Sequence, residues 1–445
     1  MSSATPFLPG LSPIGRQSLT AARDAGNLTS NGGLVMLREV ALRTGLAGVI
    51  ADPLPDTRNP LLVIHPYRDM VTARMMCISA GYPDGDDLDA LRRDPALLIA
   101  CNRRPDDGRD IPSQPTISRL ENLADVKALY RIGIGFIDHF CASYETPPAS
   151  IVLDVDDTDD LVHGSQQLSL FNTHAGGHCF QPMLIFEGNS GKPLLSLMRP
   201  GKRPSGDEAA RVLWHVIHRI RRHWPKVRIL IRGDSHFCAP EVLALLRRLR
   251  CDYILGLSIN PKLARLAKPW QQSCENKLKL SRPKVRRFHQ FTYKAGSWGH
   301  PEKVIARVEA TKLGQDTRFV VTNLPGQGKI LYEKVYCARG RMENLIKDMK
   351  LYTRSDKTAC WRWQANQFRL FLHMGAYWLL HSVRLAAPKK SRWRGATFET
   401  IRLVFVKLGC RVEQMKRQIK LSFSAHLPFA DDIATVTARL TAQGP

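Results

Sequence analysis

Two aspartates each follow an apolar run that has the composition of a buried strand. Asp156 comes shortly after residues 151–153 (Ile-Val-Leu), and Asp234 after residues 229–231 (Ile-Leu-Ile). Functional side chains collect where strands end at a sheet edge, and carboxylate oxygens are the ligands that Mg²⁺ prefers. An aspartate after a strand is also a common turn former or helix cap. Each residue alone therefore leaves both interpretations open.

Four polar residues share one face of a predicted helix further along the chain, namely Tyr336, Arg339, Glu343 and Lys350. At about 100° per residue they lie within about 60° of one another. A carboxylate between two cations is suited to hold a metal while the cations bind phosphates. Because Arg339 and Glu343 also form an ordinary i,i+4 pair, an exposed salt-bridged helix explains the same spacing.

The charge of the chain is strongly positive and unevenly distributed. Its 445 residues include 65 Lys and Arg against 40 Asp and Glu, a net charge of +25. This excess predicts a polyanionic partner. Residues 132–191 hold no Lys or Arg but eight acidic residues, Asp156 among them, and basic segments follow. This acidic island is either a solvated loop or a cation site placed where a polyanion binds.

The composition excludes several classes of protein. With 44% hydrophobic and 24% charged residues, the chain is typical of globular rather than disordered proteins. The most apolar helix candidate, residues 371–380, is far shorter than the roughly 20 residues that a membrane span needs. We find no signal peptide, and the ten cysteines contain no CxxC pair. We therefore expect free thiols and a cytoplasmic protein.

The elements that position these residues alternate between strand and helix in the centre of the chain. A capping box at Ser118–Glu121 is predicted to open a helix over 126–140. Strands are predicted at 151–156, 183–186, 194–198, 227–231 and 253–257, and helices at 205–224 and 240–249. This order predicts an α/β fold with a mixed sheet and helices packed on it. Residues 260–325 lack a helical period and are predicted to be β-rich, with helices resuming near residue 333.

The four polar residues match a family signature. With two, three and six residues between them, they fit the tyrosine-arginine-glutamate-lysine pattern of a large group of bacterial insertion-sequence transposases. Other matches are residues 153–160 (Leu-Asp-Val-Asp-Asp-Thr-Asp-Asp), His163-Gly164, residues 233–237 (Gly-Asp-Ser-His-Phe) and Leu408-Gly409 with the basic stretch after it. Over about residues 30–425, the chain resembles a DDE transposase of the insertion sequence 1380 family.

The resemblance implies an RNase H-like catalytic core, a mixed sheet flanked by helices, interrupted by a β-rich insertion. The implied regions are a flexible N-terminus (1–27), a mostly helical N-terminal DNA-binding region (28–145), the first part of the core (150–259), the insertion (260–325), the second part of the core with the glutamate helix (330–385) and a C-terminal region (390–445). For the helical N-terminal region, a structural cap is an equally good interpretation as a DNA reader.

The resemblance also implies which acids carry the chemistry. They are Asp156, Asp234 and Glu343, as catalytic residues and as metal ligands. Family members place the first acid two residues before a threonine, which selects Asp156 ahead of Thr158. Because Asp154 lies on the same face of the strand, spacing alone does not exclude it.

Further residues are implied to bind DNA. Arg339 and Lys350 would bind phosphates near the cleaved end, and Tyr336 would pack against the terminal nucleotide or its phosphate. Some relatives trap a flipped base on aromatic side chains, which would suit Trp298.

The implied reaction is phosphoryl transfer with two Mg²⁺ ions, for which Mn²⁺ can substitute. Water cleaves the element end to release a 3′-hydroxyl, which then attacks target DNA. The implied partner is double-stranded DNA, at the element ends and the target, bound by a homodimer. No membrane and no small-molecule substrate is expected, and the implied location is the bacterial cytoplasm, on the nucleoid when bound to DNA.

Two other functions fit the same residues. One is a catalytically silent DNA-binding repressor or domesticated relative on this scaffold, and the other is a metal-dependent nuclease without strand transfer. Intact carboxylates and the complete four-residue signature favour the transposase, because a protein that only binds DNA has no need of carboxylates facing phosphates.

Overall fold

The computed structural model describes residues 7–279 and 283–442, which divide into two compact units. The terminal unit consists of the described residues of Met1–Arg43, Pro60–Ser118 and Leu379–Pro445, and the central unit of those of Thr44–Asn59 and Arg119–Trp378. Parts of three expected regions lie outside the described residues: positions 1–6 of the N-terminus, 280–282 of the insertion and 443–445 of the C-terminal region.

Strands and helices both occur in each unit, and they are numbered in chain order. The strands are β1 (Leu28–Thr29), β2 (Ser150–Asp157), β3 (Asp160–Leu161), β4 (Leu170–Asn172), β5 (Gly177–Phe180), β6 (Met183–Glu187), β7 (Pro193–Leu197), β8 (Arg228–Gly233), β9 (Asp252–Leu257), β10 (Lys284–Tyr293), β11 (Glu302–Thr311), β12 (Gly314–Thr322), β13 (Cys410–Gln414) and β14 (Ile419–Phe423). The helices are α1 (Leu34–Thr44), α2 (Leu46–Ala51), α3 (Tyr67–Ser79), α4 (Asp87–Leu91), α5 (Pro95–Ala100), α6 (Gln114–Glu121), α7 (Val126–Ala142), α8 (Gly206–His223), α9 (Pro240–Arg248), α10 (Pro261–Leu278), α11 (Gly328–Ile330), α12 (Arg341–Lys347), α13 (Trp363–Ala386), α14 (Phe398–Ile401) and α15 (Ala430–Ala442).

The central unit is built on an eight-stranded mixed sheet with the order β10-β11-β12-β9-β8-β2-β6-β7. β2 runs parallel to β8 and β8 parallel to β9, while the other neighbours are antiparallel. Ile151, Leu153 and Val155 of β2 and all of β6 are buried, as expected for strands in the interior of the unit. The predicted mixed α/β architecture is therefore confirmed.

The helices α8 and α9 pack against each other, and α8 also packs against α7. The predicted start of α8 is confirmed, because the Ser205 hydroxyl accepts a hydrogen bond from the Glu208 backbone N–H at 3.2 Å. Five of its apolar residues repeat at helical spacing and are buried: Ala209, Leu213, Val216, Ile217 and Ile220. Arg221 and Arg222 lie in its last turn, where cations interact favourably with the helix dipole.

One predicted capping box is wrong. Ser118 lies inside α6 instead of opening α7. The residue that caps α7 is Asp125, whose carboxylate accepts a hydrogen bond from the Ala128 N–H at 2.7 Å. An aspartate directly before the apolar run satisfies the first free N–H groups, so the serine and glutamate upstream are not needed for this purpose.

The expectation that residues 260–325 contain no helix is also wrong. α10 occupies 18 residues of this stretch, with Asn260 capping the N–H groups of Lys262 and Leu263 and with Pro261 in its first turn. An exposed proline inside the helix, Pro269, hides the helical period in the sequence. The strands β10, β11 and β12 make the rest of the stretch β-rich, as predicted, and through the β12–β9 pairing they extend the central sheet.

The terminal unit contains a small antiparallel sheet of order β1-β13-β14 together with the helices of its three segments. Residues 411–423, which the sequence left ambiguous between strand and helix, form the hairpin of β13 and β14. No helix among the residues described is long and apolar enough to cross a membrane.

Candidate active site

The two candidate aspartates lie side by side at one edge of the central sheet. β2 and β8 are parallel neighbours, and Val155 is paired with Gly233, so Asp156 and Asp234 each follow a paired residue in register. Asp234 also caps a short 3₁₀ turn, since its Oδ1 accepts a hydrogen bond from the His236 N–H at 2.9 Å. The structure therefore brings together two carboxylates whose sequence positions are 78 residues apart.

Asp154 and Asp156, which spacing alone does not distinguish, have different surroundings. The Asp154 side chain is fully buried and forms two hydrogen bonds with the Arg232 guanidinium, at 2.6 and 2.7 Å. The Asp156 side chain is 14% exposed, and its Oδ1 lies 2.7 Å from one terminal nitrogen of Arg339. Arg232, a buried residue on the neighbouring strand, thus satisfies the carboxylate of Asp154. The carboxylate of Asp156 remains partly exposed at the site.

The charge of Asp156 is destabilised by its position. Burial raises the pKa of its carboxyl to about 7, and the nearby carboxylates of Asp234 and Asp157 act in the same direction, against the opposing effect of Arg339. A carboxyl with this pKa is only partly ionised at neutral pH without a further cation. Strongly perturbed carboxyls beside other carboxyls are typical of functional sites.

His236 links the ends of the two strands. Its Nδ1 donates to Asp157 Oδ2 at 3.2 Å and lies 3.8 Å from Asp234 Oδ2. The hydrogen bond to Asp157 is the main reason why the pKa of His236 is raised. His236 is not among the site residues predicted from the sequence. The signal that indicates its position is the run Gly-Asp-Ser-His-Phe at 233–237.

Gly256 on β9 allows the loop that carries Asp234 to lie close to the backbone of this strand. A Cβ placed there would lie 2.8 Å from the Ser235 backbone nitrogen and 2.9 Å from the Tyr336 hydroxyl. Any side chain would therefore displace the loop that carries Asp234. The same contact places Tyr336, one of the four signature residues, beside this loop.

The signature segment is helical but not one regular α-helix, which corrects the predicted geometry of a single face. It consists of a π turn (Leu331–Tyr336), a 3₁₀ turn (Cys337–Gly340), α12 and a second π turn (Asp348–Tyr352). π turns within helices are often found at functional sites. Arg339 lies in the 3₁₀ turn and contacts Asp156, while Glu343 lies exposed in the first turn of α12.

Arg339 holds Asp156 by one contact only. One terminal nitrogen reaches the carboxylate, whereas the buried Nε has no hydrogen-bond partner in the described part of the chain. The buried pair of Arg232 and Asp154, by comparison, uses two parallel hydrogen bonds. The guanidinium of Arg339 therefore keeps donor capacity for a further anion.

Lys350 binds the chain that leaves β2. Its Nζ lies 3.3 Å from the Thr158 hydroxyl and 3.5 Å from the buried carboxylate of Asp160, and it donates to the carbonyl of Asp159. Burial raises the pKa of Asp160 to about 7, which Lys350 partly opposes. In this structure the lysine thus anchors the segment that contains β3, β4 and β5.

Replacement of Lys350 by methionine is expected to lower the free energy of unfolding by about 1–3 kcal/mol, because Asp160 loses its buried partner. The segment 158–182 should then exchange its amide hydrogens faster. Urea unfolding and hydrogen exchange measure both effects. Lys347→Met, an exposed position on the same helix, is the control and should change neither. Equal behaviour of the two variants would contradict the anchoring role.

Trp298 is not open to a ligand. Its side chain is 6% exposed and its ring packs edge-on against Tyr293 at 5.5 Å between centroids. The role in trapping a flipped base stays a prediction, and the buried ring gives it no support.

The carboxylates fit a hard divalent cation only in part. Asp156 and Asp234 supply adjacent oxygen donors, and burial raises the pKa of Asp156, an effect that a bound cation would oppose. Among the residues described, however, no group of three or more His, Cys, Asp or Glu side chains is close enough to hold a metal ion. Glu343 therefore does not complete a three-acid cluster in this conformation.

Comparison with known proteins identifies the family. No curated protein matches the sequence. The solved structures that resemble the fold include a piggyBac transposase, from the cryo-EM structure of its synaptic complex with hairpin DNA, at 10% identity and a TM-score of 0.43, covering 86% of this chain and 82% of that one. The family model described as transposase DDE domain group 1 matches residues 11–445, nearly the whole sequence. The chain belongs to this family of DDE transposase domains.

Proposed function

We propose that the chain is a DNA transposase of the insertion sequence 1380 family that binds the terminal inverted repeats of its element, cleaves the ends and joins the 3′-hydroxyls to target DNA. The observation that carries the proposal is the pair Asp156 and Asp234 at the ends of adjacent parallel strands, with Arg339 of the signature on one of them. The membership in the DDE transposase domain family supports the same reaction class.

The proposal includes an RNase H-like catalytic core. The order of elements supports it: three strands that pair antiparallel (β2, β6, β7), helix α8, strand β8, helix α9, strand β9 and a later helical segment with Glu343. In this arrangement the first two acids belong to strands in the middle of the sheet. The third belongs to a separate segment, in α12.

Asp156, Asp234 and Glu343 would hold Mg²⁺, with Mn²⁺ as a substitute. When bound, the metal would polarise the phosphodiester and favour deprotonation of the attacking hydroxyl. Asp156 rather than Asp154 takes this role, because Arg232 already satisfies both oxygens of Asp154. His236 keeps the Asp234 loop attached to Asp157 and thus fixes the spacing of the two strand ends.

Arg339 would exchange partners when DNA arrives. In the structure it neutralises Asp156 through one nitrogen, with its buried Nε unused. A phosphate is a bidentate acceptor that matches a guanidinium. Transfer of Arg339 from the carboxylate to a DNA phosphate would free Asp156 for the metal, so that binding of the DNA end and loading of the cation favour each other. A dimer would hold the two DNA ends together.

The proposal is tested with purified protein and DNA that carries the inverted repeats flanking its gene. In Mg²⁺ we expect cleavage at the repeat end, a free 3′-hydroxyl and joined products with a target plasmid, all stopped by EDTA. Binding without cleavage would instead identify a repressor-like DNA-binding protein. Cleavage without joining would identify a nuclease.

Glu343→Ala is expected to lower cleavage at least about a hundredfold, because the variant loses a metal ligand. The affinity for DNA should stay within about twofold of the wild-type value, because no phosphate contact is lost. Gel-shift and cleavage assays on the same preparation measure the two quantities. The matched control is Glu333→Ala, which removes the same charge from the preceding π turn. Unchanged cleavage by Glu343→Ala would remove this residue from the proposed triad.

A further inference from the structure

The hairpin of β13 and β14 exposes cations on a firmly held ribbon. Its strands pair from Cys410–Phe423 to Gln414–Ile419, and the turn is closed by the Met415 N–H, which donates to the Gln418 carbonyl at 2.8 Å. β13 also pairs with β1 on its other side, and Val412 is buried. The hairpin is thus fixed along one edge and free along β14.

The cations at the tip have no carboxylate partner. Lys416 and Arg417 lie in the turn and Lys420 on the free edge strand, all three exposed and without an ion pair in the described part of the chain. Arg411, by contrast, is paired with Glu413 at 3.2 Å. Surface cations in a folded protein commonly have acidic neighbours, so three unpaired ones on a single hairpin favour an external anion.

A neighbouring loop contributes to the same surface. The Asp106 N–H donates to Gln414 Oε1 at 3.1 Å and attaches the loop to the hairpin, which brings the exposed Arg104 to the tip. Arg104 and residues 414–419 line an open concavity of about 660 Å³. Of the described residues that line it, Arg104, Lys416 and Arg417 are cationic and none is acidic, so the concavity carries a net positive charge.

The geometry points to duplex DNA as the ligand: we propose that the β13–β14 hairpin and Arg104 bind the phosphate backbone of DNA outside the active site. A two-stranded ribbon fits the width of the major groove, and its exposed cations are suited to contact phosphates. A free phosphate group would engage only one or two of the four cations. The inference rests on the proposed function, since it assumes that the chain acts on DNA.

The test compares two double variants that remove the same charge from the terminal unit. Lys416→Gln/Arg417→Gln neutralises the hairpin tip, and Lys389→Gln/Lys390→Gln neutralises two exposed lysines elsewhere. The probe is a 30-base-pair duplex of random sequence, with affinity measured between 50 and 200 mM salt. The melting temperature of each variant, expected to equal that of the wild type, shows that the fold is retained.

Loss of two phosphate contacts should reduce the slope of log K against log salt by about 1.8 for the hairpin variant. Its affinity should therefore fall about tenfold less than that of the wild type over this range of salt. The control variant should keep the wild-type slope. Equal slopes for all three proteins, or an equal reduction in both variants, would overturn the inference.

Two outcomes distinguish this inference from the proposed function. A hairpin variant that binds DNA like the wild type, in a protein that still cleaves its element ends, refutes only the hairpin site. A hairpin variant that loses affinity for phosphatidylserine vesicles but not for DNA overturns the choice of ligand. A wild-type protein that neither binds nor cleaves DNA refutes the proposed function itself.

Discussion

Asp156→Asn is expected to lower magnesium-dependent DNA cleavage by about 10³-fold or more, and at the same time to stabilise the fold at neutral pH. The loss of activity follows from the loss of a ligand, because a divalent cation supplies several kcal/mol of charge stabilisation in the transition state. The gain in stability follows from burial, which raises the pKa of Asp156 in the folded chain to about 7.

The gain should depend on pH in a defined way. Between about pH 4 and pH 7 the carboxyl is ionised in the unfolded chain but protonated in the folded one, so that folding takes up a proton. The free energy of unfolding of the wild type therefore falls as the pH rises through this window. Asparagine does not titrate. The free energy of unfolding of the variant should equal that of the wild type near pH 4 and exceed it by a growing amount up to pH 7. Above pH 7 the difference should stay constant.

Urea unfolding from pH 4 to pH 8 and a cleavage assay at pH 8 measure both effects. Asp252→Asn, which removes an aspartate from a mostly exposed pair with Arg228 at 3.1 Å, is the control and should alter stability by less than about 0.5 kcal/mol. Undiminished cleavage by Asp156→Asn would exclude this residue from the site. A stability difference that is the same at all pH values would contradict the buried, protonated state of Asp156.

Asp154→Ala is expected to lower the free energy of unfolding by about 3–5 kcal/mol, because the guanidinium of Arg232 would stay buried without its counter-charge. Arg232 is only 5% exposed, and apart from Asp154 its charge is met by the carbonyl of Val335 at 2.9 Å. The same substitution would thus disturb the π turn that leads to the signature residues.

A double variant separates the effect of the unpaired charge from the effect of the lost side-chain volume. Asp154→Ala/Arg232→Met removes both charges, and it should recover more than half of the lost stability, since uncharged partners need no compensation. The midpoints and slopes of urea unfolding give the two values. A single variant that costs less than about 1 kcal/mol, or a double variant no better than the single one, would show that the pair is not a structural requirement.

The sequence predicted the parts of the site that depend on local pattern. The apolar runs before Asp156 and Asp234 indicate strands wherever they occur, and the parallel pairing of β2 and β8 then brings the two aspartates together. The cap at Ser205 is equally local. These features can be predicted from the periodicity of the apolar side chains and from the residues at the ends of each element.

What the sequence could not provide is the choice of partners far apart in the chain. Nothing near Asp154 indicates that Arg232 satisfies it, and only the pairing of their strands does so. Likewise, nothing near Lys350 indicates that it contacts residues 191 and 192 positions away, while its expected role as a phosphate ligand stays a prediction. The irregular turns around Arg339 are invisible to a calculation at a constant angle per residue.

The division of the chain has a consequence for the order in which function is acquired during synthesis. The terminal unit is assembled from three separate segments and needs Leu379–Pro445 for its small sheet, whereas the strands and signature residues of the central unit all precede Trp378. Translation supplies residues in sequence, and pairings between distant segments form slowly. The residues of the proposed active site are thus translated before the proposed DNA-binding hairpin of β13 and β14.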